Sequence, residues 1–342
     1  MRDVFYPVAH RTSSEFSKLK SRYQTFDSSV VTKIFRDTLG LTVVSIEKPE
    51  SWATSHIIYD VTVKELAIPL LFRANVGTDE PEYSLKIEHI ISQQLTKLGV
   101  PGPHVLAVDI SRKQYPFDFQ IQEVLPGYDL ESGFGGTKEE YDRMSYALGK
   151  YIALYGQLSF DGFGLFDVNH IEKMSDLRGT KKTFYEFLTA SLSDDLTHIV
   201  TGNLIDENVK EKILGIFETY KPVIQVDRGV LVHNDLADHN LMSNGTTITG
   251  VIDWENCCIA DPVLDLASCP TWRTHHPRES QLLAGYQSIT ALPTHFTEKR
   301  LIYKLRTILW KTAYTLRLGM LDETRFTRLE EALSPFGIGL VK

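Results

Sequence analysis

Residues 28–39, SSVVTKIFRDTL, place apolar side chains at helical spacing behind a serine cap, and Gly40 closes the segment. Three runs follow at 42–47, 57–63 and 68–74, separated by polar turns, and their pattern predicts strands of an antiparallel sheet. Residues 81–98 read as an amphipathic helix with Pro81 in its first turn, and VPGP at 100–103 breaks it. Two more strands are expected at 104–109 and 117–125. Past Pro126-Gly127 the period changes. Residues 137–158, the segments FYEFLTASL and NVKEKILGIFETY, and residues 297–319 and 322–333 are helical by spacing, and FDGFG at 160–164 reads as a tight loop. Two short apolar runs interrupt these helices, 230–232 and 248–252. The pattern predicts an α+β chain of two lobes: an antiparallel-sheet lobe over 1–125 and a mainly helical lobe over 126–342. Residues 1–27 are polar and mixed, an arm whose structure the pattern does not define.

Composition narrows the partners. With 42% hydrophobic and 23% charged residues in 342, a packed core is expected. The net charge of −8 argues against nucleic acid or an anionic membrane as partner. Most of the excess acid lies after residue 125, which fits a small cationic ligand there, though a solvated surface fits it as well. Cys257, Cys258 and Cys269 show no C-x-x-C spacing, so a reducing compartment without disulfides is expected. No signal-peptide or membrane-spanning run occurs. The expectation is a cytoplasmic protein, a monomer or weak dimer.

The chemistry concentrates in residues 229–269, GVLVHNDLADHNLMSNGTTITGVIDWENCCIADPVLDLASC. Each of the two apolar runs ends abruptly in carboxylates or amides, as a buried strand does when it delivers charge to a cleft. Asp235 and Asn240 are five apart, and Asp253 ends the next run. Protein kinases space a base and two magnesium ligands in this way, after the strand order of the first lobe. One Asp at a strand end is an ordinary turn former. Two consecutive ends with both spacings match phosphoryl transfer: Asp235 as base, and the hard oxygens of Asn240 and Asp253 for Mg²⁺. A metal-dependent hydrolase using His233, Asp235, Asp238, His239 and Asp253 is a competing reading. It lacks an H-x-H-x-D-H spacing and leaves Asn240 without a task. A silent kinase-like binding module is a third, but it would be expected to lack one of the three chemical residues.

LVHNDLADHNLM followed by GVIDWENCCIADPVLDLA resembles the aminoglycoside phosphotransferase family, with Asn234 and Ala260 where glycine is usual. The later segments resemble, loosely, its hygromycin B phosphotransferases. The resemblance implies a protein-kinase-like fold with ATP (or GTP) between the lobes. It also implies Mg²⁺ on Asn240 and Asp253, and transfer of the γ-phosphate to a small-molecule hydroxyl with Asp235 as base. An aminoglycoside such as hygromycin B, or a metabolite of the choline, homoserine or sugar kind, would be the acceptor. His233, Asp261 and Asp265 are expected to hold loops. Arg73 would hold phosphates and pair with Glu88, with Glu82 as alternative. Gln122 and Val124 would offer backbone to adenine. The turn 48–58 lacks glycine, which leaves Ser51, Thr54 and Ser55 as hydroxyl donors to phosphate, or the loop as a plain hairpin closure. Asp238, Glu255, Trp272 and Arg273 are candidate acceptor contacts, Glu255 for an amine.

Overall fold

Five segments rich in Val, Ile, Leu and Phe form one antiparallel sheet: β1 (Val43–Glu47), β2 (Ile57–Val63), β3 (Leu70–Asn75), β4 (Val105–Asp109) and β5 (Asp118–Glu123). They run in the order β1-β2-β3-β5-β4. The alternation of β2, buried at Ile57, Tyr59, Val61 and Val63, turns one face toward α1 (Ser29–Leu39). There Val31, Ile34 and Phe35 pack with Phe72, Phe119 and Ile121. A second helix, α2 (Tyr83–Lys97), buries Leu85, Ile87, Glu88, Ile90, Ile91 and Leu95.

This computed structural model describes residues 4–7, 17, 21–49, 56–78, 81 and 83–340. They fall into two compact units: residues 17–127 with 249–255, and residues 4–7 with 128–248 and 256–340. The linear reading differs at two places. Residues 249–255 join the sheet unit, where the Val251 amide donates to the Pro101 carbonyl at 2.9 Å and Thr249 Oγ1 to the Pro126 carbonyl at 2.9 Å. Part of the N-terminal arm belongs to the helical unit. Tyr6 stacks on Trp310 with ring centroids 4.1 Å apart, and Phe5 lies 5.1 Å from Phe187.

The helical unit also holds more sheet than two apolar runs announced. After the short β6 (Tyr128–Asp129) come β7 (Ser159–Phe160), β8 (Phe163–Phe166), β9 (Gly179–Lys181), β10 (Gly229–Val232), β11 (Leu241–Ser243) and β13 (Cys258–Ala260), whereas β12 (Ile248–Val251) belongs to the sheet unit from Thr249 on. Five of them form a sheet in the order β7-β10-β13-β8-β9. FDGFG, expected as a loop, therefore lies across two strands. Gly162, at φ +73°, makes the turn, and Phe160, Phe163 and Phe166 are buried. Strands of two to four residues are too short to show a period.

Around this sheet stand α3 (Lys138–Tyr155), α4 (Val263–Ser268), α5 (Glu279–Gln287), α6 (Phe296–Arg317) and α7 (Glu323–Leu333). Thr137 and Glu140 close a capping box on α3. Helices α3 and α5 approach closely because Gly149 and Gly285 face them; a Cβ at either would overlap the other helix's backbone. Helix α6 is buried nearly all round, including Arg306 and Lys311. Among the described residues no helix is long and apolar enough to cross a membrane.

Candidate active site

In the helical unit, β10 ends at Val232 and delivers His233-Asn234-Asp235 into a buried turn. One carboxylate pins that turn. Asp265, in the first turn of α4, accepts the His233 amide at 2.8 Å, the Asn234 amide at 2.9 Å and the Tyr155 hydroxyl at 2.5 Å. Burial pushes the Asp265 carboxyl up, while His233, Tyr155 and the two amides pull against it. The His233 ring sits inside the turn, its Nδ1 accepting the Asp235 amide at 3.3 Å. Asn234 has φ +66°, the left-handed region where only glycine is unstrained and asparagine is the next most tolerant. That geometry explains both the usual glycine and its replacement here. Asn234→Gly is expected to leave stability within about 0.5 kcal/mol, whereas Asn234→Val costs roughly 1–2 kcal/mol. Urea unfolding of the two variants measures it, and equal midpoints would contradict the strain argument.

The turn leaves Asp235 buried at 7% exposure with no hydrogen-bond partner for Oδ1 among the described residues. Asn240 donates Nδ2 to the Asp235 carbonyl at 2.8 Å, which fixes its amide so that Oδ1 is the group left to present. Asp261 accepts the Val263 amide at 2.9 Å, Lys299 Nζ at 2.7 Å and the Tyr303 hydroxyl at 3.0 Å.

In the sheet unit, Arg73 on β3 donates to Glu88 Oε2 at 2.7 Å and to Gln120 Oε1 at 3.3 Å. Its Nη2 lies 3.8 Å from Asp253 Oδ1. Burial works against the charged guanidinium, but the carboxylates of Glu88, Asp253 and Glu255 outweigh it and hold the Arg73 pKa up. Asp253 adopts φ +62°, a left-handed turn at the end of the returning segment. Trp254 anchors that turn by donating Nε1 to the Val251 carbonyl at 3.1 Å.

Several expected contacts take other partners. The Val124 amide donates to the Pro69 carbonyl at 3.2 Å, so it is spent in the sheet. Gln122 lies inside the ladder, opposite Leu71 and Val105, where neighbouring strands face its backbone. Leu125 is the first residue past the ladder. Asp238 does not face an acceptor: it is 1% exposed and held by Arg278 and, at 2.8 Å, by the Tyr141 hydroxyl. Glu255 meets the buried His56 ring at 3.3 Å. Arg273 is exposed and lies 3.7 Å from Asp322. Trp272 sits edge-on to His239 with centroids 6.1 Å apart. Ser51, Thr54, Ser55 and Glu82 lie outside the described residues. Gln120, Arg278 and Lys311 join these clusters without any local motif to mark them. Burial of a polar residue inside a strand or helix period was the available signal, and it points to no partner.

Among the described residues no group of three or more His, Cys, Asp or Glu side chains is placed to hold a metal ion. Of the residues a hydrolase would use, Asp238 is committed to Arg278, and His233 Nδ1 accepts the Asp235 amide. The amide oxygen of Asn240 and the carboxylate of Asp253 are hard-oxygen ligands of the kind Mg²⁺ takes.

No curated protein sequence matches the chain. Among solved structures, a thermostable mutant of aminoglycoside phosphotransferase APH(4)-Ia, in ternary complex with AMP-PNP and hygromycin B, is 17% identical with a TM-score of 0.63. The match covers 90% of this chain and 98% of that one. A putative fructosamine-3-kinase from Thermobifida fusca is 14% identical with a TM-score of 0.63, covering 90% and 99%. Macrolide 2'-phosphotransferase MphH from Brachybacterium faecium is 15% identical with a TM-score of 0.58, covering 90% and 99%. These likenesses show the kinase-like fold. The model of the phosphotransferase enzyme family (APH) matches residues 70–297, about two thirds of the sequence, and the chain belongs to that family.

Proposed function

We propose that the protein transfers the γ-phosphate of ATP to a hydroxyl of a small molecule, with Asp235 as the base. The observation that carries this reading is the buried, unpartnered Oδ1 of Asp235 in a turn held by Asp265. An acceptor hydroxyl is the hydrogen-bond donor that this oxygen lacks. As the bond from acceptor oxygen to phosphorus forms and the bond to ADP breaks, the hydroxyl proton passes to Asp235. The rest of the site positions groups and opposes charge, and in phosphoryl transfer that supplies most of the catalysis.

Asn240 and Asp253 would hold Mg²⁺, which when bound neutralises charge on the phosphate oxygens. Arg73 is the phosphate-binding cation. Its Nη1 is oriented by Glu88 and Gln120, and the whole group is stiffened by burial. Past the ladder, Leu125 replaces Val124 as the first backbone free of the strand register to meet a base. Acceptors differ among proteins with this fold: hygromycin B in one complex, fructosamine and macrolides by the names of two others. Fold therefore does not choose the acceptor.

ADP release from Mg·ATP in the presence of candidate acceptors tests the reading, and an ADP signal indifferent to Asp235 would sink it. Arg73→Met is expected to raise KM for ATP by roughly 10- to 100-fold, the loss of one charge-assisted contact. A KM within twofold of the parent would remove Arg73 from the nucleotide site.

A further inference from the structure

Buried cations in the helical unit follow a rule with one exception. Arg278 meets Asp238, Lys299 meets Asp261 at 2.7 Å, and Arg306 meets Asp195 at 2.9 Å. Lys311 is as buried, at 2% exposure, yet has no carboxylate within ion-pair distance among the described residues. Its Nζ donates to Thr271 Oγ1 at 2.8 Å and lies 3.2 Å from the centroid of the Trp272 ring. A buried ammonium without a counter-ion is costly.

Its charged surroundings raise that cost. Arg328 reaches the same segment, donating to the Thr271 carbonyl at 2.6 Å and to the Trp272 carbonyl at 3.4 Å. Arg325, one turn earlier on α7, has Nε and Nη1 buried without partners, and so is Trp272 Nε1. Burial, then Arg325, pushes the Lys311 pKa well down, while Asp235 pulls it up. Burial and Arg328 bring Arg325 down to about 10. The carboxylate whose charge bears on Lys311 is thus the base itself. Trp272 meets His239, four residues beyond Asp235, so the cluster stands beside the base's loop.

Three cations and three unused N–H groups make a site with more donors than acceptors; the Asp322 carboxylate, which accepts the Arg325 amide at 2.8 Å and lies 3.7 Å from Arg273, is the one acid among the described residues whose charge bears on Arg325. A cationic amine would meet mostly like charge there, from Lys311, Arg325 and Arg328. An oxyanion would satisfy the donors and supply the missing counter-charge. We propose that the acceptor carries an oxyanionic group, a carboxylate or a phosphate, bound by Lys311, Arg325, Arg328 and Trp272 Nε1 while its hydroxyl meets Asp235. This rests on the phosphotransferase reading, and it departs from the cationic acceptor that the acidic charge balance suggests. That balance averages over the surface, whereas the acceptor meets the local charge.

The probes are inorganic phosphate and acetate, added to protein saturated with Mg·AMP-PNP so that the nucleotide site is filled. At about ten times its dissociation constant, the bound oxyanion raises Tm by roughly 2–4 °C beyond sodium chloride of equal ionic strength. Phosphate acting alone points to a phosphate-bearing acceptor, and acetate acting as well to a carboxylate. Arg325→Gln, at a partly exposed position, removes the response. Lys311→Met removes it too, and melts above the parent when no anion is present, because an unpaired buried charge is gone. ADP release should then favour D-gluconate or glycerol 3-phosphate over D-glucose, D-glucosamine and hygromycin B. A Tm response no larger than that of chloride, or one that survives in both variants, overturns the proposal. If AMP-PNP itself gives no shift while the anion response and its loss in Arg325→Gln hold, the phosphotransferase reading fails and the anion site stands.

Discussion

Asp235→Asn is expected to lower turnover by about 100- to 10,000-fold, the usual span for removing a general base, while ATP still binds. Asparagine keeps the size and the turn, since the His233 and Asn234 amides answer to Asp265 and not to residue 235. What changes is Oδ1. A carboxylate oxygen without a partner can orient a hydroxyl and take its proton; an amide can orient it but cannot take the proton. Steady-state ADP release with a saturating acceptor measures the loss, and nucleotide titration monitors binding. Turnover within tenfold of the parent would leave Asp235 a merely structural group. Loss of nucleotide binding along with turnover would mean that the turn had collapsed.

Asp265→Ala should be the most damaging change to stability. It strips two backbone amides and the Tyr155 hydroxyl of their shared acceptor in a fully buried place. Each stranded donor costs about 1–3 kcal/mol, and the three together cost roughly 3–9 kcal/mol. That is a large part of the 5–15 kcal/mol or so that holds a typical domain. Asp265→Asn is expected to lose about half as much, because its one oxygen still accepts while its NH₂ opposes an amide N–H. Urea midpoints of the helical unit report both, and midpoints unchanged in both variants would remove Asp265 as the pin of the turn. The two predictions separate cleanly. Asp235→Asn alters chemistry in an intact turn, whereas Asp265→Ala alters the turn that presents an intact base.

Much of the fold could be read along the chain because the long elements carry a clear period. The sheet of the first unit, α2, α3 and α6 each repeat apolar residues often enough to declare themselves. The sheet of the helical unit could not be read so, since β7, β9 and β13 have two or three residues each and contain no full period. The candidate site divides similarly. Asp235, Asn240 and Asp253 stand at strand ends with a fixed spacing, and spacing survives in a linear string. Arg73 and Glu88 lie fifteen residues apart, on a strand and the next helix, still within reach of local reasoning.

Failures came where one group meets another far along the chain. Asp238 looked available beside the base, but Arg278 and Tyr141 had already claimed it, 40 and 97 residues away. Val124 looked free at the end of its strand, but Pro69 accepts its amide. Lys311 drew no attention in a helix of ordinary composition. Its significance lies in which carboxylates are missing around it, and absence of a partner has no signature in sequence.

The sequence by itself determined the elements with a period, the spacing of Asp235, Asn240 and Asp253, and the likeness to a phosphotransferase family, because these depend on neighbours along the chain. Only the tertiary structure decided that Asp253 returns to the sheet unit, that Asp265 pins the turn of the base, and that positive charge gathers at Trp272. Those outcomes depend on which buried groups find a partner, and pairing across a hundred residues is settled by packing and desolvation rather than by order in the chain.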